Sequence, residues 1–255
     1  MLVGVLGATS VAAQESSVAD TADRPGYADS PILLGRGHVQ MELGFTSEQE
    51  TSDEHSLRTR TWPQVEVHAG VSSRIDVSVF WDGVISKRST PGSEEDEDAT
   101  GGADVRVGGK LRLVHRPRFA AALVGYLNVP VGSVAFSSRY ADPFARFAWA
   151  ATISDRVGIS GTLDLKAVRV DDDSVETKPA ASALLAGAIY RAVDGFIGVA
   201  VEPPEIGSRP SLMLVETGVV VPLGDRNQFD VWISKRVRGD PQDWFISAGY
   251  IRRLR

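Results

Sequence analysis

The 255-residue sequence has no cysteine, no long hydrophobic run and no excess of positive charge. The absence of cysteine excludes thiolate chemistry, cysteine-ligated zinc, iron–sulfur clusters and disulfide bonds. No stretch reaches the ~20 consecutive apolar residues of a membrane helix, which argues against a bundle of membrane helices. The net charge of -6 disfavours nucleic acid as a partner, because non-specific binding to it depends on clustered Lys and Arg.

The first thirteen residues have the features of a secretory signal sequence. Residues 1–10 form a short apolar stretch, and Val11 and Ala13 precede Gln14 as small residues do at a signal-peptidase site. The positively charged start of a complete signal peptide is missing, which indicates a truncated peptide or a misassigned start codon. We therefore expect residues 1–13 to be a signal peptide and the fold to begin after them.

From residue 37 onward, apolar and polar positions alternate with a period of two. In one segment Ile75, Val77 and Val79 share a face opposite Asp76 and Ser78. In a helix, at 100° per residue, these apolar positions would scatter around the axis. About twelve such segments occur, each of roughly ten to fourteen residues, which suits tilted membrane-spanning strands of ~9–11 residues plus their ends.

The joints between these segments alternate strictly between short and long. Tight joints lie near residues 70–74, 115–118, 153–156, 191–194 and 223–226, and longer polar ones near 47–56, 87–102, 131–140, 169–179, 203–210 and 238–242. Bacterial outer-membrane barrels have short periplasmic turns and long external loops. The sequence therefore predicts an all-β fold, a transmembrane antiparallel up-and-down β-barrel of about twelve strands. Residues 37–255 should form this outer-membrane barrel, and residues 14–36 a periplasmic segment before it. A soluble β-sandwich accounts for neither the strand length nor the alternation of joints.

Many charged residues fall on the face opposite the apolar stripe. Toward lipid, Lys or Arg at the membrane midplane would cost ~2–4 kcal/mol, so we expect these residues to face the lumen. We also expect ion pairs, especially Arg58 or Arg60 with Asp76, and Arg106 or Lys110 with neighbouring carboxylates. The network either stiffens the barrel or lines a permeation path. The predicted lumen-lining set is Glu42, Arg58, Arg60, Glu66, His68, Asp76, Arg106, Lys110, Arg112, Arg146, Asp164, Lys166, Glu216, Asp230 and Arg236.

Two prolines shape the segment before the first strand. Pro25 and Pro31 fix φ and favour extended geometry in the residue before each of them. We expect an ordered approach to the first strand rather than a helix. From the periplasmic side this segment can fold into the barrel mouth as a partial plug.

Three stretches resemble the outer-membrane family named for the meta-pathway of phenol degradation, often labelled simply as transporters. The residues that match the start of this family are Asp23, Arg24, Pro25, Ser30, Pro31, Gly37, Gln40, Glu42 and Gly44. Residues 102–110 and 244–250 are similar to two further strands of the family. The chain departs from outer-membrane barrels in ending on residues 252–255 rather than on an aromatic, so Tyr250 is expected to serve the assembly machinery instead. The resemblance implies transport without naming a cargo.

No residue pattern points to catalysis or to a cofactor. The histidines, His38, His55, His68 and His115, lack metal-binding spacing, and no histidine–serine pair is placed for a hydrolase. We therefore expect no enzyme activity, no cofactor and no metal site. The predicted function is a channel for small hydrophobic or aromatic molecules. The alternatives are a structural or plugged barrel without transport and an outer-membrane lipid-modifying enzyme.

The expected surroundings follow from this interpretation. The protein should reside in the outer membrane of a Gram-negative cell, in contact with lipid, lipopolysaccharide and the barrel assembly machinery. Acidic runs at 94–98 and 171–173 could bind divalent cations that bridge to lipopolysaccharide, although most such runs are solvated loops. The small-molecule substrate is not specified by the sequence.

Overall fold

A computed structural model describes residues 17–51, 56–89, 98–169, 175–190, 193–202, 212–238 and 244–254. The predicted signal peptide at 1–13, the acidic run at 171–173 and all of the run at 94–98 except Asp98 lie outside these residues. The described elements are α1 (Val18–Thr21), β1 (Val39–Thr51), β2 (Ser56–Gly70), β3 (Ile75–Trp81), β4 (Val84–Ser89), β5 (Ala99–Gly102), β6 (Val105–Arg116), β7 (Phe119–Val129), β8 (Pro143–Ser154), β9 (Val157–Arg169), β10 (Val175–Tyr190), β11 (Val193–Glu202), β12 (Leu212–Pro222), β13 (Asn227–Arg238) and β14 (Trp244–Arg253).

The strands form one closed antiparallel sheet. Strand β1 pairs with both β2 and β14, so the sheet has no free edge at the chain ends. Two wall strands are interrupted: β3 and β4 pair with the two halves of β2, and β6 and β5 pair with β3 and β4 in turn. Counting each interrupted pair as one wall strand gives twelve, and the predicted up-and-down barrel is confirmed.

The joints differ in part from the sequence-based expectation. Tight turns are present at 71–74, 117–118, 155–156 and 223–226. The predicted long joint at 47–56 is mostly strand, because β1 runs on to Thr51 and β2 begins at Ser56. These residues are polar on both faces and so look like a loop, but backbone pairing with β14 and β2 extends the strands beyond the apolar belt.

The two faces of the barrel differ in chemistry. The outer face exposes large apolar side chains on strand after strand, an arrangement that lipid satisfies and water does not. These include Val67, Val77, Val79, Leu111, Leu123, Leu163, Leu165, Ile197, Phe229 and Ile233. The barrel is therefore of the transmembrane type. In the described part of the chain, no helix has the length and apolar character needed to cross a membrane.

A bulge reverses the alternation of β2. Between Gly44 and Thr46 of β1 the register shifts, because β2 contains one extra residue opposite them. Beyond that point Thr61 takes the inner face, and Arg58 and Arg60 point outward. The prediction that these two arginines line the lumen is wrong, since one inserted residue puts the side chains before it and after it on opposite faces relative to a regular strand.

Candidate functional site

Residues 17–38, called the lumen segment below, lead into β1 from inside the barrel. The segment begins with one turn of helix, α1, because Ser17 and Asp20 form a reciprocal capping box at its start. The prediction of an extended approach rather than a helix therefore misses this one turn. Beyond it the segment has no further helix.

The lumen segment contacts inward-facing side chains around most of the barrel. Its backbone and side chains form hydrogen bonds or ion pairs with eight of the described strands, which places it within the lumen rather than beside it. The wall residues contacted are Glu42 of β1, His68 of β2, Asp76 of β3, Lys110 of β6, Arg146 of β8, Glu216 of β12, Asp230 of β13 and Ser247 of β14.

One side of the lumen holds a group of buried charges, the Asp23 cluster, made of Asp23, Glu42, Glu66, His68 and Lys110. His68 Nε2 lies 3.6 Å from Asp23 Oδ2, 3.5 Å from Glu42 Oε1 and 3.4 Å from Glu66 Oε1. Lys110 Nζ forms an ion pair with Asp23 Oδ1. Because buried charges are costly unless they are paired, these contacts hold the lumen segment in one position.

Arg24 packs against the adjacent strands β1, β13 and β14, next to the cluster. Its Nη2 donates to Asp230 Oδ1 at 3.3 Å and to Ser247 Oγ at 2.8 Å. Gly44 and Gly249 face each other across β1 and β14 beneath it. A Cβ on Gly44 would clash with Arg24 Nη1, and one on Gly249 would clash with Arg24 Nε. Both positions therefore need glycine for the guanidinium to pack against the wall.

The opposite side of the lumen is aromatic. The aromatic cluster consists of Tyr27, Leu184, Phe196, Trp232 and Phe245. Tyr27 meets the rings of Trp232 and Phe245 edge-on, with centroids 5.5 and 5.8 Å away, and the latter two rings are 4.4 Å apart. Tyr27 N–H also donates to Glu216 Oε2 at 3.2 Å. This side contributes apolar ring surface to an otherwise polar lumen.

A third anchor lies on β8 and β9. Arg146 Nε and Nη2 donate to the two oxygens of Asp164 at 2.8 and 2.6 Å, and its Nη1 lies 2.5 Å from Asp29 Oδ1. Arg146 thus binds Asp164 of the wall through two guanidinium nitrogens and Asp29 of the lumen segment through the third.

The ion pairs expected for Asp76 are not the ones observed. Asp76 Oδ2 accepts from Leu34 N–H at 2.7 Å, whereas Arg58 Nη2 donates to Gln49 Oε1 on the outer face. The predicted pairing of Asp76 with Arg58 or Arg60 is therefore wrong, because the bulge puts the arginines on the other side of the wall.

The remaining predicted residues lie at inner-face positions of their strands. These are Glu42, Glu66, His68, Asp76, Arg106, Lys110, Arg112, Arg146, Asp164, Lys166, Glu216, Asp230 and Arg236. Arg106 pairs with Asp82 at 3.3 Å and lies over the ring of Phe80. Sequence reasoning missed Asp29 and Tyr27 of the lumen segment as partners, since no local pattern signals contacts this far apart along the chain.

The residues behind the family resemblance are brought together. Thr21 Oγ1 donates to Gln40 at 2.8 Å, Asp23 N–H donates to Glu42 at 3.1 Å, and Arg24 packs on Gly44. The motif thus consists of the lumen segment and the stretch of β1 on which it rests.

The chain forms a closed barrel that is apolar on the outside and holds the lumen segment inside. These features assign it to the class of membrane β-barrels. The chain belongs to the family described as "Putative MetA-pathway of phenol degradation", which it matches over residues 22–254. No curated protein shows a significant sequence match.

Solved structures with the same fold include several channels. The COG4313 outer membrane channel from Pseudomonas putida F1 has a TM-score of 0.71 at 10% identity, covering 91% of this chain and 99% of that one. The NanC porin has a TM-score of 0.54 at 8% identity, with coverages of 83% and 100%. The CymD monoaromatic hydrocarbon channel has a TM-score of 0.50 at 8% identity, with coverages of 85% and 88%. At these identities the similarity concerns the fold alone.

Proposed function

We propose that this chain is an outer-membrane channel for small hydrophobic or aromatic molecules and acts without catalysis. The observation that carries the proposal is the aromatic cluster inside the lumen. Ring faces and edges offer favourable contacts to an aromatic solute, which the charged remainder of the lumen does not. The family description refers to phenol degradation, and one structure of similar fold is a monoaromatic hydrocarbon channel.

The membrane setting forms part of the proposal. The signal at 1–13 would export the chain, and the assembly machinery would insert it with residues 14–36 entering from the periplasm. An even strand number places both termini on that side, so the joint between β1 and β2 is external. Arg58 and Arg60 then point outward near the external surface, where lipopolysaccharide phosphates can pair with them.

The outer face of the wall also offers apolar surface to cargo. A groove of about 500 Å³ lies on the outer face of β8, β9 and β10, lined mainly by apolar side chains such as Leu163, Leu165 and Pro179. Proline in a strand lacks an N–H for the ladder. This groove offers a hydrophobic solute a binding surface on the lipid side of the wall.

The two alternatives make different demands on the structure. A plugged barrel without transport is favoured by the number of ion pairs that hold the lumen segment. A lipid-modifying enzyme would need a base at the lipid face, whereas the buried His68 faces the lumen among three carboxylates. Transport therefore has to be separated mainly from plugging.

Uptake by cells provides this separation. Cells with an outer membrane of low permeability, with and without the barrel, are given radiolabelled toluene and, separately, a radiolabelled pentose. We expect the barrel to accelerate toluene uptake several-fold and pentose uptake much less. Equal acceleration of both solutes would indicate a general porin, and acceleration of neither would indicate a plugged barrel.

A further inference from the structure

The centre of the Asp23 cluster has the dimensions of a metal site. Three carboxylate oxygens surround His68 Nε2 at 3.4, 3.5 and 3.6 Å. Tetrahedral zinc, with bonds of ~2.0–2.2 Å to nitrogen and oxygen, separates its ligand atoms by ~3.3–3.6 Å. Ligand atoms of Asp23, Glu66 and His68 also lie within 4.8 Å of one another. One ion could therefore contact Asp23, Glu66 and His68 together with little movement.

Several atoms at this centre have unused hydrogen-bonding capacity. Among the described residues, Asp23 Oδ2 and His68 Nε2, which lie 3.6 Å apart, are both buried without a hydrogen-bond partner. Their side chains are only 5% and 3% exposed. A buried polar atom without a partner is costly, so two of them facing each other point to a missing ligand.

The carboxylates are also oriented from outside. Asp23 is held by Lys110 and the Ser30 N–H, and Tyr126 OH donates to Glu66 Oε1, the oxygen that also faces His68. Lys110 and Ser30 both use Asp23 Oδ1, which leaves Oδ2 directed at His68. Outer hydrogen bonds of this kind fix the orientation of metal ligands.

The charge balance also favours a cation. Three carboxylates meet one lysine and one imidazole, so with neutral imidazole the cluster carries a charge of about -2, which a divalent ion cancels. Ca²⁺ and Mg²⁺ prefer six or more oxygen ligands, whereas an imidazole with carboxylates suits Zn²⁺.

We propose that Asp23, Glu66 and His68 bind one Zn²⁺ ion, with the carboxylate of Glu42 beside them. Asp23 belongs to the lumen segment, and the other two residues belong to β2. The ion would therefore link the lumen segment to the wall and keep the lumen closed, a role called the clip below. Binding stands independently of transport, whereas the role as a clip rests on the proposed channel function.

Zinc binding is tested on the full-length barrel purified in detergent and freed of metal with a chelator. Calorimetric titration with ZnCl₂ should give one ion per chain. His68→Gln should weaken binding at least ~100-fold, since loss of outer-shell partners alone costs ~10–100-fold. Asp23→Asn is a second ligand variant with the same expected direction. The slower gel migration of boiled samples checks that each variant is folded.

Two matched controls separate the site from its surroundings. Glu216→Gln removes a buried carboxylate that contacts the lumen segment outside the cluster, and His115→Gln removes an exposed histidine. Both should bind Zn²⁺ as the original chain does. Binding that is absent, or equally strong in His68→Gln, would overturn the proposal and leave a cluster neutralised by protons.

The clip is tested separately by single-channel recording. Zn²⁺ should reduce the open fraction of the original channel and leave that of His68→Gln unchanged. Zinc binding without this effect would reject the clip while leaving both the site and the channel function standing. Zinc binding in a barrel that accelerates no uptake would reject the channel function and retain the site.

Discussion

The lumen segment is held by two sides of the barrel that differ in chemistry. On β1, β2 and β6 it contacts the Asp23 cluster. Removing one member of an ion pair there leaves a buried charge without a partner, which lowers stability by ~3–5 kcal/mol. On β10, β11, β13 and β14 it meets the aromatic cluster, where each ring pair adds ~0.5–1.5 kcal/mol beyond burial. The charged side demands specific partners, whereas ring contacts tolerate exchange. The charged side therefore fixes the segment, and the aromatic side is the better place for a solute to displace it.

Deleting residues 14–30 removes both sets of contacts at once and should have the largest effect. Single-channel conductance in planar bilayers should rise several-fold, because water and ions then fill the space left by the segment. A chain in which 14–30 is replaced by Gly-Ser repeats of equal length serves as a control for length. Unchanged conductance in both would show that the segment does not restrict the path.

Lys110→Met tests the charged side alone. Asp23 would lose its cation while remaining among two other carboxylates, so unfolding in urea should require ~3–5 kcal/mol less free energy. Lys166→Met, at an exposed inner-face position, should change the free energy of unfolding by less than ~0.5 kcal/mol. Equal effects of the two substitutions would remove the distinction between the cluster and the rest of the lumen.

Phe245→Leu tests the aromatic side with a smaller expected loss. It removes the edge-on contacts with Tyr27 and Trp232, each worth ~0.5–1.5 kcal/mol, while keeping most of the apolar volume. Toluene uptake should fall while conductance changes little. Phe229→Leu alters an outward-facing ring and should leave uptake unchanged. A fall in both variants would indicate that the outer wall handles the cargo.

The sequence predicted the barrel well because strand alternation is a local property. Ile75 to Val79 alternate visibly, and no distant contact is needed to recognise them. The error at Arg58 and Arg60 has an equally local cause, since one extra residue in β2 shifts the faces without altering the composition. The contacts of the lumen segment could not be predicted from the sequence, because their residues are distant in the chain and no local pattern connects them. Asp23 and Lys110, for example, are 87 positions apart.

The smallest predicted effect comes from comparing arginines on the inner face of the barrel with arginines on its outer face. Replacing Arg106 and Arg112 with Gln removes two positive charges from the lumen wall, so the reversal potential in a salt gradient should shift toward cation selectivity. The shift should be modest, because Arg106 is 38% exposed and already paired with Asp82, and salt screens it. Replacing Arg58 and Arg60 removes the same charge from the outer face and should leave the reversal potential unchanged. An equal shift in the two double variants would mean that Arg58 and Arg60 also line the permeation path, and would contradict their assignment to the outer face.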